Sequence, residues 1–380
     1  MSLPEPSFTV GIEEEYMLVD RQSRDLVSDP PPDLMSDCEA RLGDQVSPEF
    51  LKSQVEVGTK VAGNLREARA DLIRLRRCIA DVADAHGLAP IAASTHPFAR
   101  WGKQHHTDKE RYNVLAEDLQ GVVRRLLISG MHVHVGIDDD ELRMDLMNQV
   151  SYFLPHLLAL STSSPFWGGE DTGLKSYRIA VWHEMPRTGL PEQFDSFSEY
   201  QRHVAVLVKT GVIEDATKLW WDVRPSARFP TLEVRIADLC PRLEDTVCIA
   251  ALYLCLLRML WRLRRQNQRW RRYAPMLVTE NRWRAQRYGI DEGLIDFGIG
   301  EIVPYADLLE EMIELTAPDA EALGCVDELI HARTILARGT SAHRQVALYN
   351  ERVAAGESKE AALQAVVDQL IEETMMDLGS

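Results

Sequence analysis

Three short segments of this chain alternate apolar and ionisable side chains with a period of two residues. Successive side chains of a β-strand point to opposite faces, so this period predicts strands with one apolar and one polar face. The polar positions follow the patterns E-x-E, H-x-H and E-x-R within residues 11–18, 131–135 and 232–236. They are occupied by Glu13 and Glu15, by His132 and His134, and by Glu233 and Arg235.

Each of these strands, taken alone, is typical of a half-buried antiparallel strand whose polar side faces water. The three together favour a sheet whose polar face forms the floor of a functional site. Solvent-facing strands usually carry Lys, Thr, Ser and mixed charges, whereas these carry only carboxylates, imidazoles and one guanidinium. Carboxylates with an imidazole and no cysteine suit a hard divalent cation, Mg²⁺ or Mn²⁺, better than Zn²⁺.

Three other charged features allow more than one interpretation. Glu14 falls on the apolar side of its strand, which predicts either an edge position or an arginine partner. Glu56 is a fourth acidic candidate, although an isolated Glu in a short alternating segment is usually solvated. The arginine-rich segment 258–287 favours a solvated helix face, paired with the acidic remainder of the chain, over a nucleotide-phosphate site.

Hydrophobic periodicity predicts an α+β chain with few strands and long helices. From Glu244 onward nearly the whole chain has a helical pattern. The expected organisation is an α+β domain over residues 1–303 and a helical C-terminal lobe over 304–380, packed on the same domain. Strands are expected over 8–19, 88–94, 126–137 and 231–239, and helices over 64–86, 141–160 (kinked or ended at Pro155) and 198–210, with later interruptions near Pro275, 291–304, Pro318, Gly339 and Gly356.

Composition excludes several classes of protein. The 380 residues carry a formal net charge of −17, which argues against binding duplex nucleic acid. With 45% hydrophobic residues the chain is typical of a soluble globular protein. The apolar run 247–257 is too short to span a bilayer and predicts a buried helix, so no membrane association is expected. Six scattered cysteines and the lack of a secretory signal predict a cytoplasmic protein with reduced thiols.

Seven motifs lie in order along the chain: GIEEEYMLVD (11–20), STHPFARW (94–101), HVHVG (132–136), LALSTSSPFW (158–167), WWDVRPS (220–226), TLEVRIAD (231–238) and ENRWRAQRYG (280–289). They resemble those of the type 2 glutamate–cysteine ligases, the carboxylate–amine ligases of the YbdK type, and the matches run from residue 8 to about residue 345. His132-Val-His134 and Glu233-Val-Arg235 also resemble strands of glutamine synthetases, which implies a glutamine synthetase-like fold with the site on a curved antiparallel sheet.

The resemblance implies roles for individual residues. Arg235 would meet the transferred γ-phosphoryl group of ATP, although a structural ion pair with Glu233 is the alternative. His134, as a second catalytic residue, and Arg178, as a substrate-binding residue, would lie near the amino-acid substrate. Mg²⁺, or Mn²⁺, bridging the ATP phosphates would be held by Glu13, Glu15, Glu56, His132 and Glu233.

The resemblance also implies an activity. We expect an ATP- and Mg²⁺-dependent ligase that joins a carboxylate, the γ-carboxyl of glutamate, to an amine such as that of cysteine through an acyl phosphate. We also expect a homodimer. The segments Thr172-Gly-Leu-Lys175 and Trp182-His-Glu-Met185 depart from the family pattern, which leaves the substrate open. A metal-dependent hydrolase using the same cluster, and a non-catalytic descendant that binds nucleotide or metal, remain as alternatives.

Overall fold

A seven-stranded antiparallel sheet brings the three polar strands together. The computed structural model describes residues 4–376 and Leu378, with the backbone only at positions 111, 115, 118 and 124. The strands are β1 Val10–Asp20, β2 Val46–Pro48, β3 Gln54–Gly58, β4 Leu88–Ile91, β5 Met131–Gly136, β6 Phe166–Trp167, β7 Glu170–Asp171, β8 Thr188–Gly189, β9 Trp220–Trp221, β10 Val223–Pro225, β11 Thr231–Val234, β12 Leu294–Asp296 and β13 Glu301–Val303. The sheet has the order β10-β11-β5-β1-β3-β2, and β4 also pairs with β1.

Helices cover the apolar face of the sheet and form the whole C-terminal part of the described chain apart from its loops. The predicted helix over 64–86 is confirmed as α2, whose first turn is capped because the Asn64 side chain accepts a hydrogen bond from the Glu67 N–H at 3.0 Å. The helices are α1 Pro32–Leu42, α2 Leu65–Ala85, α3 Glu110–Leu119, α4 Gly121–Arg124, α5 Asp140–Val150, α6 Leu154–Ser161, α7 Tyr177–Trp182, α8 Phe197–Lys209, α9 Leu243–Arg265, α10 Pro275–Tyr288, α11 Tyr305–Leu323, α12 Val326–Arg338, α13 Ser341–Ala354 and α14 Lys359–Met375.

Helix α9 is the centre of the hydrophobic core. It is long and apolar enough to cross a membrane by length and composition, but 83% of its most apolar window is buried inside the fold. It packs against α2, α5, α6, α11 and α12. The predicted buried helix over 247–257 is therefore confirmed, and it extends to 23 residues.

The described residues after 304 form four helices that pack on the rest of the fold. Helices α11 and α12 lie against α9, and α14 lies against β4. One hydrophobic cluster runs from Phe8 in the N-terminal part to Ile335 in α12. The division between 303 and 304 stays a prediction, as does the cytoplasmic location; the six cysteines are all free.

The arginine-rich segment pairs with acidic residues, as predicted. Arg258 Nη1 and Arg262 Nη2 lie 2.9 and 2.8 Å from the two carboxylate oxygens of the buried Asp319. Arg264 and Arg269 both contact Asp145. These ion pairs join α9 and the segment after it to α11 and α5.

Several predicted boundaries differ from the structure. The strand expected over 231–239 ends at Val234, because the N–H groups of Arg235 and Ile236 both donate to the Asp222 carbonyl and leave the ladder. The strands expected over 88–94 and 126–137 are shorter, at Leu88–Ile91 and Met131–Gly136. The prediction of a helix break at Pro318 was wrong, because α11 continues through this residue and has buried side chains before and after it.

Candidate active site

The register of the sheet places the predicted polar residues next to one another. Glu13 lies opposite His132, and Glu15 lies opposite Glu56. On the other side of β5, His134 lies opposite Glu233. Because directly opposed residues have Cβ atoms about 4.5–5.5 Å apart, the polar faces of four strands form one continuous surface.

Glu13, His134 and Glu233 form a first cluster, in which one ligand-capable atom from each lies within 4.8 Å of the others. The His134 Nε2 atom is 3.4 Å from a Glu13 oxygen and is buried without a hydrogen-bond partner. Its Nδ1 atom is 3.0 Å from the Thr231 hydroxyl, which orients the ring. A buried ring nitrogen that lies beside one carboxylate, in a cluster with a second, and has no hydrogen-bond partner has the environment of a metal ligand.

Glu15, Glu49 and Glu56 form a second cluster within the same 4.8 Å limit. Sequence reasoning missed Glu49, which lies in the connection between β2 and β3 and belongs to no alternating pattern. Its Oε2 accepts a hydrogen bond from the Phe50 N–H at 2.7 Å, and Glu15 Oε2 accepts one from the Gly130 N–H at 2.6 Å. Three carboxylates meet here, and only the fold brings Glu49 to the other two.

The two clusters differ in how their charge is balanced. Burial and the charge of Glu49 raise the pKa of Glu15 to about 8 and also raise the pKa of Glu56 well above its usual value. Burial would also raise the pKa of Glu13 and Glu233, but the histidines hold the pKa of Glu13 well below its usual range and arginines do the same for Glu233. In the second cluster, burial and the neighbouring carboxylates therefore favour the protonated form, and a bound cation would favour the ionised form instead.

His132 lies between the two clusters. Its Nδ1 is 3.0 Å from Glu13 Oε2, and its Nε2 is 3.8 Å from Glu15 Oε1. Burial and the neighbouring Arg235 charge lower the pKa of His132 to about 4, so the ring is uncharged near neutral pH. The geometry thus groups His134, rather than His132, with Glu13 and Glu233; the metal-binding role of His132 stays a prediction.

Two arginines form ion pairs with the Glu233 carboxylate. Arg235 Nη1 contacts Glu233 and lies 3.4 Å from His132 Nδ1, while its buried Nε has no partner. Sequence reasoning missed Arg224, whose Nε and Nη2 are 3.1 and 3.3 Å from the two Glu233 oxygens. It lies directly opposite Glu233 on the neighbouring strand, in the segment WWDVRPS that carried the family resemblance.

Arg178 is buried, and its guanidinium is hydrogen-bonded to the backbone. Its guanidinium donates to the carbonyls of Arg235, Ile236 and Ala237 at 3.0, 3.3 and 3.2 Å. A Cβ atom at Gly130 would lie 2.6 Å from Arg178 Nη2, so this approach requires a glycine. Arg178 therefore positions the residues after β11, and its predicted contact with substrate stays a prediction.

All eight predicted site residues line one cavity of about 410 Å³. Residues from seven strands, from helices α3 and α7 and from the loops around them line it, so distant parts of the sequence meet there. The predicted residues that line it are Glu13, Glu15, Glu56, His132, His134, Arg178, Glu233 and Arg235.

The fold is shared with two solved structures, a glutamate–cysteine ligase and a bifunctional glutathione synthetase. Glutamate–cysteine ligase from Francisella tularensis, solved in complex with AMP, has a TM-score of 0.70 at 12% identity, covering 100% of this chain and 91% of that one. A bifunctional glutathione synthetase from Pasteurella multocida has a TM-score of 0.68 at 16% identity, over 97% of this chain and 53% of that one. At these identities the likeness shows the fold, which is α+β as predicted.

The family is shown by sequence. The model of Glutamate-cysteine ligase family 2 (GCS2) matches residues 9–369. A Rhodospirillum rubrum protein named "Putative glutamate--cysteine ligase 2" is 66% identical over 99% of this chain and 98% of its own length, and one of the same name from Jannaschia sp. (strain CCS1) is 58% identical over 98% of both. The chain belongs to this family and is a ligase enzyme, as the sequence motifs indicated.

Proposed function

We propose that the protein is an ATP- and Mg²⁺-dependent carboxylate–amine ligase that forms a γ-glutamyl amide through an acyl phosphate. The observation that carries the proposal is the pairing of two carboxylate clusters with Arg235 and Arg224 in one cavity. A carboxylate does not react with an amine at neutral pH, because oxide is not a leaving group. Phosphorylation by ATP replaces that oxide with phosphate, and family membership supports glutamate as the carboxylate donor.

The residues present fit divalent cations that accompany ATP. Glu13, His134 and Glu233 would hold one ion, since the buried, unpaired His134 nitrogen faces two ionised carboxylates. Glu15 and Glu56, with Glu49, would hold a second where carboxylates are in excess. Oxygen-rich sites of this kind suit Mg²⁺ or Mn²⁺. When bound, such ions neutralise polyphosphate charge and orient the phosphates.

The chain's own residues position the reactants. Arg235 stands beside Glu233 at the cavity floor and would donate to oxygens of the transferred phosphoryl group, where charge develops in the transition state. Arg224 holds the Glu233 carboxylate with a two-nitrogen fork, so that Glu233 keeps one orientation. Water would hydrolyse the acyl phosphate, so the reaction also requires that the bound substrates exclude it from the buried floor.

The reaction consists of a phosphoryl transfer followed by an acyl transfer. The glutamate γ-carboxylate oxygen attacks the γ-phosphorus of ATP, and ADP leaves with the electron pair of the broken P–O bond. The amine nitrogen then attacks the acyl carbon, forming the C–N bond as phosphate departs. Starting from carboxylate, ammonium and ATP⁴⁻, the products are amide, ADP³⁻, HPO₄²⁻ and one proton.

The test is ADP formation with Mg²⁺, glutamate and a panel of amines. A ligase releases amide in step with ADP when an acceptor is present, whereas a hydrolase releases phosphate without one. Glu233→Gln removes a charge and a ligand but almost no volume, so it is expected to abolish turnover while unfolding stays cooperative. Retention of more than about a tenth of the rate would contradict the assignment, since one lost charged group costs roughly 10²–10³-fold.

A further inference from the structure

An apolar wall closes one side of the active-site cavity, and the roles assigned above do not use it. Its buried members keep 4–8% of their surface exposed, while Ile91 and Val19 behind them in the same hydrophobic cluster are completely buried. Trp182 and Met185 belong to the segment that departs from the family pattern. The apolar wall consists of Phe50, Leu126, Ile128, Met185 and Trp220, with Trp182 packed against them.

Trp182 connects the apolar wall to the reactive centre. The Cζ atoms of Arg235 and Arg178 each lie 6.0 Å from the centre of its ring. Its indole nitrogen donates to the Trp220 carbonyl at 3.2 Å and so offers no donor to a ligand. A substrate that reacts beside Arg235 would therefore extend its neighbouring atoms past the Trp182 ring and along apolar side chains.

Among the cavity-lining residues, Phe229, which lies outside this hydrophobic cluster, suits the nucleotide base better. Phe229, 56% exposed, lies in the loop between β10 and β11 with its ring 6.3 Å from that of His134. Arg228 precedes it and also lines the cavity. An exposed ring beside an arginine suits base stacking and phosphate contact. Glutamate, charged at both ends, does not suit an apolar surface, which leaves the apolar wall to the amine.

We propose that the apolar wall binds the side chain of the amine substrate. The acceptor is then a primary amine or amino acid with an aromatic or branched aliphatic side chain, rather than a small one. This inference rests on the proposed ligase function and names the substrate class of the same cavity. A pocket of this kind discriminates by the apolar surface it buries, by roughly 10- to 200-fold for each methylene.

The first test uses the wild-type enzyme with Mg²⁺, ATP and glutamate. Matched acceptors are L-phenylalanine with L-alanine and 2-phenylethylamine with ethylamine, with L-cysteine as reference, and the amide is followed by mass spectrometry beside ADP. We expect kcat/KM at least about tenfold higher for each phenyl-bearing acceptor. Equal or lower values than for the small acceptors overturn this inference and leave the ligase function intact. No ADP with any acceptor overturns both.

The second test compares two identical deletions in one hydrophobic cluster. Ile128→Ala changes the apolar wall, while Ile91→Ala changes the packing behind it. We expect Ile128→Ala alone to lower the preference for phenylalanine over alanine, by about tenfold, with the KM for ATP unchanged. A raised KM for ATP with unchanged preference would make the wall the base site and overturn the proposal. If Ile128→Ala does not fold, the same preference for phenylalanine over alanine is measured with Met185→Ala.

Discussion

The carboxylate of Glu14 and the guanidinium of Arg76 form an ion pair with both side chains completely buried and Oε1 2.5 Å from Nη2. Glu14 also accepts hydrogen bonds from the hydroxyls of Tyr16 and Thr246, at 2.5 and 2.9 Å. Arg76 Nη2 donates in addition to the Cys240 carbonyl at 3.0 Å. The pair lies on the apolar side of the sheet and ties β1 to α2 and to the start of α9, so the predicted arginine partner of Glu14 is confirmed.

Glu14→Gln is expected to destabilise the fold strongly, because it leaves the Arg76 charge buried without a counterion. Breaking a buried pair in this way costs about 3–5 kcal/mol. The free energy of unfolding from denaturant titration measures the loss. Glu310→Gln, which breaks the exposed pair with Arg333, is the matched control and should leave unfolding nearly unchanged. Equal effects of the two substitutions would contradict the structural role of Glu14.

Arg235→Lys separates a catalytic from a structural role. Lysine keeps the charge but loses the planar fork, so we expect the ligase rate to fall by roughly 10²–10³-fold while affinity for Mg·ATP changes little. Rate and melting temperature are measured on one preparation. Because Arg235 contacts Glu233, some loss of stability is compatible with either role. A destabilised enzyme with full activity per folded molecule would show that the ion pair is its only role.

Arg224→Lys is expected to act through Glu233. Arg224 also donates to the carbonyls of Thr217 and Leu219, at 2.8 Å each, so its position is held from both sides. Lysine cannot make both contacts with Glu233, and loss of such an orienting partner typically costs 10–100-fold in metal affinity or activity. The Mg²⁺ concentration for half-maximal ADP formation should rise. An unchanged Mg²⁺ dependence with a lowered rate would place Arg224 on the nucleotide instead.

Asp245 makes part of the free energy of unfolding dependent on pH. Burial would raise its pKa, but a hydrogen bond to His331 and the charge of Arg338 hold the pKa of Asp245 below its usual value. Because the pKa of Asp245 is lower in the folded state than in the unfolded state, its ionised form stabilises the fold. This stabilisation is fully present above the unfolded-state pKa, about 3.9, and is lost as the pH falls through the folded-state pKa. Asp245→Asn should therefore lower the urea midpoint at pH 7 and flatten its decline below about pH 4. Parallel curves for the two proteins would contradict this.

The family resemblance predicts a homodimer. Sedimentation should then give a species of about twice the 43.1 kDa chain mass. The measurement is made at micromolar protein, with and without Mg·ATP. A single 43.1 kDa species under both conditions would contradict the prediction.

Much of the site could be predicted because strand periodicity is local. The alternation in E-x-E and H-x-H determines which side chains share a face, whatever the rest of the chain does. The helix α2 and the buried helix within α9 could be predicted for the same reason, since apolar periodicity and an apolar run depend on neighbouring residues. The end of β11 at Val234 could not, because it depends on the Asp222 carbonyl, thirteen residues before Arg235.

Composition and period thus determined on their own that this chain forms an α+β fold with ionisable side chains on one face of its strands. Tertiary structure alone decided which of them meet: His134 with both Glu13 and Glu233, Glu49 with Glu15 and Glu56, and Arg224 opposite Glu233. The physical reason is that a side chain's face follows from local backbone geometry. Its lateral neighbour follows from strand order and register, which are set by hydrogen bonds and packing between distant segments.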